Sequence, residues 1–176
     1  MNLENLRYPI GKSPIYNNLE ELDLENSIKD IKELPDKVMD LTLGLNPEDL
    51  LHSYRPEGWN TRQLIHHIAD SHLNSFIRFK LVITEGDGTQ IKPYLENEWV
   101  KTADVDHDID DSLLILKGLH NRWAKLLESL TKDQLNMGFY HPEMKVNVPL
   151  YNGIAMYRWH GNHHLEHIKI AINKVE

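Results

Sequence analysis

Residues 159–167 read Trp-His-Gly-Asn-His-His-Leu-Glu-His, a stretch that offers two pairs of histidines at four-residue spacing. The pairs are His160 with His164 and His163 with His167. Residues four apart lie one above the other on a helix face, so either pair could chelate a metal ion. At about 100° per residue, the polar residues of this helix centre on the side opposite His160 and His164, which therefore face inward.

His163 and His167 lie to one side of the inward direction. We treat them as second choices, which could line an edge of the site or meet solvent. A histidine-rich helix end that simply faces water is the competing interpretation. Two inward imidazoles one turn apart weigh against it, because without a partner their nitrogens would be buried and unsatisfied.

A second histidine-rich helix is predicted upstream. Asn60 and Gln63 have the spacing of a capping box, which opens a helix running to about Thr84. A polar stripe lies within about 40° of His67 and comprises Gln63, Ser71, Asn74 and Arg78. Such a stripe either faces water or lines an internal site, and the spacing alone leaves both open. His66 and His72 point elsewhere on the helix, so we interpret them as structural and expect His72→Ala to leave metal binding intact.

Two more amphipathic helices complete the pattern. Apolar residues recur every three or four positions from Leu24 to about Gly44, and Pro35 should kink or split that helix. A third helix is predicted over 111–129, and a fourth over 149–174 with Pro149 in its first turn. The sequence therefore predicts an all-α fold, a four-helix bundle with one long crossover.

The segments between the helices suit this architecture. Residues 1–22 contain Pro9, Gly11 and Pro14 with little periodicity and are expected to form an arm on a single domain spanning 1–176. The crossover over 89–110 carries an aspartate cluster, which lacks the glycine and the closing glutamate of a calcium loop and is interpreted as solvated. Residues 138–148 predict a small extended hairpin.

Composition excludes several classes of protein. The chain of 176 residues has a formal charge of −8, which argues against a nucleic-acid groove. It contains no cysteine, so any metal must be held by nitrogen and oxygen. The sequence has neither a signal-peptide pattern nor an apolar run of membrane-spanning length, and we expect a cytoplasmic protein that acts on a small molecule.

Together these motifs resemble the YfiT-like metal-dependent hydrolases of the DinB superfamily. The resemblance is carried by 7–11 (Arg-Tyr-Pro-Ile-Gly), Gly58-Trp59, 66–72, 77–80, 138–142, and Trp159-His160 with His163-His164. It implies a four-helix bundle, a homodimer, and a metal, usually described as zinc, held by three histidines near one end. Carried over residue by residue, those ligands are His67, His160 and His164. Residues 161–162 and 165–166 differ from the family pattern, so the rim of the site and the substrate could differ too.

Three histidines leave at least one coordination position open, and zinc in such a site can lower the pKa of a bound water to about 7, which suits hydrolysis. Nickel or another divalent metal would also accept these ligands. Asp70, Asn74 and Gln63 are candidates to orient an imidazole or the water, and none is assigned as general base.

Two other functions stay open at the sequence level. The open position could instead bind an external thiol as thiolate, because several members of the wider superfamily resemble thiol S-transferases, including ones that use bacillithiol. Arg78 could then recognise an acidic thiol cofactor, or it could lie in a structural ion pair. Alternatively, the ion could tie two helices together in a non-catalytic binding protein. Trp59 and the other tryptophans could wall a pocket, although core packing accounts for most tryptophans in a small bundle.

Overall fold

Helices dominate the structure, a computed structural model that describes residues 2–173. The α-helices within these residues are, in chain order, α1 (Leu3–Arg7), α2 (Leu24–Thr42), α3 (Thr61–Glu85), α4 (Glu96–Trp99), α5 (Asp110–Glu128), α6 (Lys132–Asn136) and α7 (Leu150–Ile172). Three short strands accompany them: β1 (Thr89–Gln90), β2 (Gly138–His141) and β3 (Val146–Pro149). Single 3-10 turns occur at Leu19–Glu21, Asp49–Leu51 and Ala103–Asp106.

The four long helices α2, α3, α5 and α7 form a bundle, which confirms the predicted fold class. Helix α2 packs against α5 and α7, and α3 packs against the same two helices. Consequently α2 and α3, which follow each other in the sequence, lie diagonally across the bundle, and the crossover between α3 and α5 carries β1 and α4. Each long helix therefore contacts two neighbours in the ring order α2, α5, α3, α7.

The predicted hairpin is confirmed. Strands β2 and β3 pair antiparallel, with Phe139 opposite Val148, and β1 adds a parallel edge to β2. The capping box at the start of α3 is also present, because the Asn60 side chain accepts from the Gln63 backbone and the Gln63 side chain accepts from the Asn60 backbone. The predicted end of the fourth helix, Lys174, lies outside the described residues.

Helix α2 runs without interruption through Pro35, so of the two predicted effects of this proline, a kink or a split, the split does not occur. Proline removes one N–H, which in a regular helix would have donated to the carbonyl four residues earlier. That carbonyl belongs to Ile31, and it accepts instead from Nδ1 of His120 on α5. Burial of Ile31, Leu34 and Val38 against the neighbouring helices also favours a continuous α2.

The apolar core consists of two clusters arranged along the bundle. The first is centred on Phe79, Trp123, Leu150 and Ile154, and the second on Val38, Leu64, Ile68, Leu116 and Ile168. On α3 and α7 the two clusters are separated by His72 and His160 respectively, and on α5 His120 lies close to the boundary, between Leu119 and Trp123 of the first cluster. A polar layer of histidines therefore crosses the interior of the bundle.

The arm that precedes α2 lies along α7. Tyr16 exchanges two hydrogen bonds with the Asn152 side chain, each 2.9 Å long. Further toward the end of α7, the Gly11 carbonyl accepts from the Trp159 indole, and the Leu6 carbonyl accepts from Nε2 of His167 at 3.1 Å. The arm thus reaches the part of α7 that carries the histidines.

No helix in the described part of the chain combines the length and the apolar character that crossing a membrane requires.

Candidate metal centre

Three histidines converge between α3 and α7. Nε2 of His67 lies 3.2 Å from Nε2 of His160, and His164 follows one turn later on α7. Each of the three residues can offer one ring nitrogen such that all three nitrogens lie within 4.8 Å of one another. The structure therefore brings together the three side chains that the sequence singled out as ligands.

The geometry and chemistry of this donor set suit a divalent metal. In a tetrahedral site with metal–nitrogen bonds of about 2.0–2.1 Å, two ligand nitrogens are about 3.3 Å apart. The 3.2 Å separation of the His67 and His160 nitrogens is close to that value. The group contains neither a carboxylate nor a thiolate. A set of three neutral imidazoles is compatible with zinc, nickel or cobalt.

Burial keeps these imidazoles neutral. It lowers the pKa of His67 to about 4 and holds the pKa values of His160 and His164 well below the usual range. Neutral histidine is the form that binds a metal, so at neutral pH these rings need no net loss of charge before an ion enters.

His160 also contacts His72, which the sequence analysis had placed away from the site. Nε2 of His72 lies 3.0 Å from Nδ1 of His160, and Nδ1 of His72 lies 3.0 Å from Nε2 of His120 on α5. The interpretation of His72 as remote from the site was wrong. A projection down the α3 axis ignores height along the helix, and the His160 ring extends between His67 and His72.

His163 and His167 are both buried, so of the two alternatives, lining an edge of the site or meeting solvent, the second is excluded. The His163 ring stacks on Trp159, with ring centroids 4.3 Å apart, and His167 stacks on Tyr54 at 3.8 Å. These two residues and His164 form a second group that could hold an ion. It shares His164 with the first group, and Nε2 of His167 is already bonded to the Leu6 carbonyl.

The three candidates for orienting an imidazole or a water are placed differently. The Gln63 side chain is used by the capping box and by the Val100 carbonyl, and the Asn74 amide donates to the Asp70 carbonyl. Asp70 itself is half-buried, and burial followed by the nearby charge of Asp104 raises its pKa to about 6. The side chains of Gln63 and Asn74 are therefore engaged in structural hydrogen bonds, whereas Asp70 has a raised pKa of about 6.

Two cavities adjoin this region. Trp59 packs on His67 with ring centroids 4.6 Å apart and lines a cavity of 410 Å³ together with Gln63, Asn97 and Lys101. Asn97 also lines a second cavity of 590 Å³, in which Arg78 lies beside Tyr94 and Glu96. Within residues 2–173 Arg78 forms no ion pair of 4.0 Å or less. Trp59 therefore forms the wall between the smaller cavity and the histidines.

Sequence reasoning missed His120. It is fully buried on α5, among the apolar positions of that helix that face the core. The signal was available, since a histidine next to Leu119 and close to Trp123 interrupts an otherwise apolar stripe. His66, by contrast, forms a hydrogen bond of 2.8 Å with Ser112, and its ring does not contact the rings of the candidate ligands, as expected of a structural histidine.

Fold and site together define a helical bundle whose interior carries a group of histidines that could hold a metal ion. The family model of the DinB superfamily matches residues 30–168, and the chain belongs to this superfamily.

Relatives and solved structures agree with that assignment. The chain is 44% identical to a protein of Halalkalibacterium halodurans named "Putative metal-dependent hydrolase", over 94% of this chain and 96% of the relative. A relative of the same descriptive name from Oceanobacillus iheyensis is 41% identical, over 93% of this chain and 94% of the relative. YfiT from Bacillus subtilis, described as "a probable metal-dependent hydrolase with an unusual four-helix bundle topology", superposes with a TM-score of 0.93 at 38% identity and covers 97% and 98% of the two chains. The resemblance inferred from the sequence motifs is thereby confirmed.

A more distant similarity concerns the fold alone. A mycothiol-dependent maleylpyruvate isomerase superposes with a TM-score of 0.68 at 15% identity, over 87% of this chain and 63% of the isomerase.

Proposed function

We propose that this protein is a metal-dependent hydrolase whose divalent ion, zinc in the first instance, is held by His67, His160 and His164. The observation that carries the proposal is the convergence of three ring nitrogens from two helices within 4.8 Å. Three nitrogen ligands leave a position where a bound ion can activate water or polarise a carbonyl group. The descriptive names of relatives more than 40% identical over almost the whole chain support hydrolysis.

The protein's own side chains prepare the site for such a reaction. Burial keeps the three imidazoles neutral, and Trp59 covers His67 on the side of the 410 Å³ cavity. This cavity offers a place for the non-reacting part of a substrate beside the ligands. Pockets that bind small molecules usually have volumes of about 300–1,000 Å³, and this cavity falls within that range.

The test is a set of chromogenic ester and amide substrates given to zinc-loaded protein. We expect turnover that disappears on chelation, returns when zinc is restored, and is lost in His160→Ala. His66→Ala is the matched control, because it also removes a buried histidine from α3 but one that bonds Ser112. Turnover that persists in His160→Ala would contradict the proposal, as would stoichiometric zinc without turnover of any ester or amide.

Thiol transfer is the second candidate function, and the observation that favours it is Arg78. This cation lines the 590 Å³ cavity and forms no ion pair of 4.0 Å or less among the described residues, so an acidic thiol cofactor could bind it in competition with the nearby charge of Glu96. Incubation of the zinc-loaded protein with a carboxylate-bearing thiol and an electrophile distinguishes the two reactions. Thiol transfer would be favoured if the thiol is consumed only when metal is present and if its rate of consumption is lower in Arg78→Gln. Metal binding without either reaction would favour a non-catalytic binding protein.

A further inference from the structure

We propose that two chains of hydrogen-bonded histidines, each ending on a backbone carbonyl, fix the tautomers of the ligands on α7 so that Nε2 of His160 and of His164 carries a lone pair toward the metal site. The positioning residues are His72, His120 and His167. The proposal rests on the proposed metal site, and it concerns which ring nitrogen holds the proton before any ion arrives.

The first chain begins at the carbonyl of Ile31. A carbonyl can only accept, so Nδ1 of His120, which contacts it, must carry a proton. A neutral imidazole has one N–H, and Nε2 of His120 is therefore an acceptor. Its partner at 3.0 Å is Nδ1 of His72, which must donate. Nε2 of His72 is then the acceptor for Nδ1 of His160 at 3.0 Å, which leaves Nε2 of His160 without a proton.

These proton positions require that the rings are neutral, and the surroundings of the rings keep them so. His72 and His120 are fully buried, and the hydrogen-bond partners described for them are other imidazoles and a carbonyl, so no carboxylate compensates a positive charge. An uncompensated charge in such a place is costly. Burial also prevents water from replacing a member of the chain.

Pro35 explains why the Ile31 carbonyl is available inside a helix. In a regular α-helix that carbonyl accepts from the N–H four residues later, and residue 35 has none because it is proline. His120 supplies the missing donor from the neighbouring helix. The proline that leaves α2 intact therefore creates the acceptor on which the chain ends.

The first chain passes through all four long helices. It starts on α7 at His160, continues through His72 on α3 and His120 on α5, and ends at Ile31 on α2. It runs close to the boundary between the two apolar clusters of the core, and its last member, Ile31, belongs to the first cluster. A hydrogen-bonded layer in this position ties the orientation of a ligand to the packing of the whole bundle.

The second chain is shorter and independent of the first. Nε2 of His167 contacts the Leu6 carbonyl at 3.1 Å and must therefore donate. Nδ1 of His167 is then an acceptor, and Nδ1 of His164 lies 3.3 Å from it. His164 thus carries its proton on Nδ1, which leaves its Nε2 free. Both chains give the same result, although one ends on α2 and the other on the arm.

The most direct test is the tautomeric state of the metal-free protein, read from long-range ¹H–¹⁵N correlations of uniformly ¹⁵N-labelled rings. We expect His160, His164, His72 and His120 to be protonated on Nδ1, and His167 on Nε2. Assignment follows from the loss of each ring's signals in single glutamine variants. An Nε2 proton on His160 or on His164 would overturn the proposal. The tautomers themselves are measured on the wild-type protein, and the variants serve only to assign its signals.

Zinc affinity, measured by competition with a chromogenic chelator, gives a second readout. Outer-shell partners of a metal ligand typically change affinity by about 10–100-fold. We expect a loss of that size in His72→Ala and a largely retained affinity in His72→Gln, because an amide can still accept from His160 and donate to His120. His66→Ala is the matched control and should bind as the wild type does. Wild-type affinity in His72→Ala with an unchanged His160 tautomer would refute the positioning role.

The two proposals fail in different ways. If zinc binds and the ligand variants lose it, but His72→Ala and His167→Ala behave as the wild type, the positioning proposal fails and the metal site stands. If zinc does not bind at all, the metal site fails, while the tautomers of the metal-free protein still confirm or contradict the two histidine chains.

Discussion

At the scale of single residues, Trp59 should report metal binding directly. Its ring lies 4.6 Å from that of His67 and 6.4 Å from that of His164, centroid to centroid. A paramagnetic ion such as Co²⁺ bound by these histidines should therefore quench Trp59 fluorescence strongly. We expect the quenching in a Co²⁺ titration to fall by more than half in Trp59→Phe.

Trp99→Phe is the matched control for this titration. Trp99 packs on Tyr94 in the crossover and is 39% exposed. Its replacement should leave the Co²⁺-dependent change in fluorescence nearly intact. Equal losses in the two variants would mean that the ion binds elsewhere.

The sequence could identify the candidate ligands that the structure brings together because helical periodicity says which residues share a face. His160 and His164 were placed inward by the polar residues opposite them, and His67 by the resemblance to a family and by the polar stripe around it. His72 was misplaced because angle alone carries no information about height along the helix or about the reach of a ring from α7. The contacts of His120 could not be predicted either, since they depend on α5 and α2 being neighbours.

At the scale of elements, the approach of α7 to α2 depends on Gly161. A Cβ at this position would lie 2.7 Å from Cδ2 of Leu34, and Leu34 is only 2% exposed. We expect Gly161→Ala to lower the free energy of unfolding by about 1–3 kcal/mol, as for an overpacked core. Because His160 and His164 flank this glycine, zinc affinity should fall as well. Urea unfolding followed by circular dichroism measures the first effect.

Gly118→Ala in the middle of α5 is the control for that experiment. A Cβ there meets no atom within 4 Å. Replacing a helical glycine with alanine should then stabilise the protein by about 0.5–1 kcal/mol. If Gly161→Ala raised the free energy of unfolding as Gly118→Ala is expected to do, α2 would be able to accommodate the extra carbon and the prediction would be wrong.

The long helices and the hairpin were predictable because each has a local signal. The helix boundaries were predicted to within a few residues from the recurrence of apolar residues every three or four positions, from the Asn60–Gln63 capping box and from Pro149. The unbroken course of α2 through Pro35 was not predictable from local rules. It depends on a donor from α5, and the sequence does not say that α5 packs there.

At the scale of the whole molecule, the buried histidine layer should make the stability of the metal-free protein depend on pH. Burial lowers the pKa of His67 and of His120 to about 4 in the folded state, whereas unfolded histidine titrates near 6.5. Between these values the unfolded chain binds more protons, so stability is fully present above about pH 6.5 and is lost as the pH falls toward 4.

For each such histidine the free energy of unfolding should be about 2 kcal/mol lower at pH 5 than at pH 7.5. Urea unfolding in the presence of a chelator at the two pH values measures it. His120→Gln should show a shallower dependence, and His107→Gln, at an exposed position, should retain the wild-type dependence. Stability that is constant or that rises on acidification would contradict the buried, neutral state of these rings.

The arrangement of the whole molecule was predicted only in outline. A four-helix bundle with a long crossover followed from the helices, but the diagonal placement of α2 and α3 and the division of the core into two clusters did not. The arm was expected over 1–22, yet its course along α7 depends on single contacts such as that of Leu6 with His167. The homodimer implied by the family resemblance stays a prediction.

The central claim is that His67, His160 and His164 hold one divalent ion. The measurement that tests it most directly is elemental analysis, combined with zinc titration, of untagged wild-type protein, the three single alanine variants and His66→Ala. We predict close to one zinc per chain in the wild type and in His66→Ala, and loss of most of it in each of the three ligand variants. Absence of metal from the wild type even after addition of zinc, or equal zinc content in all five proteins, would contradict the claim.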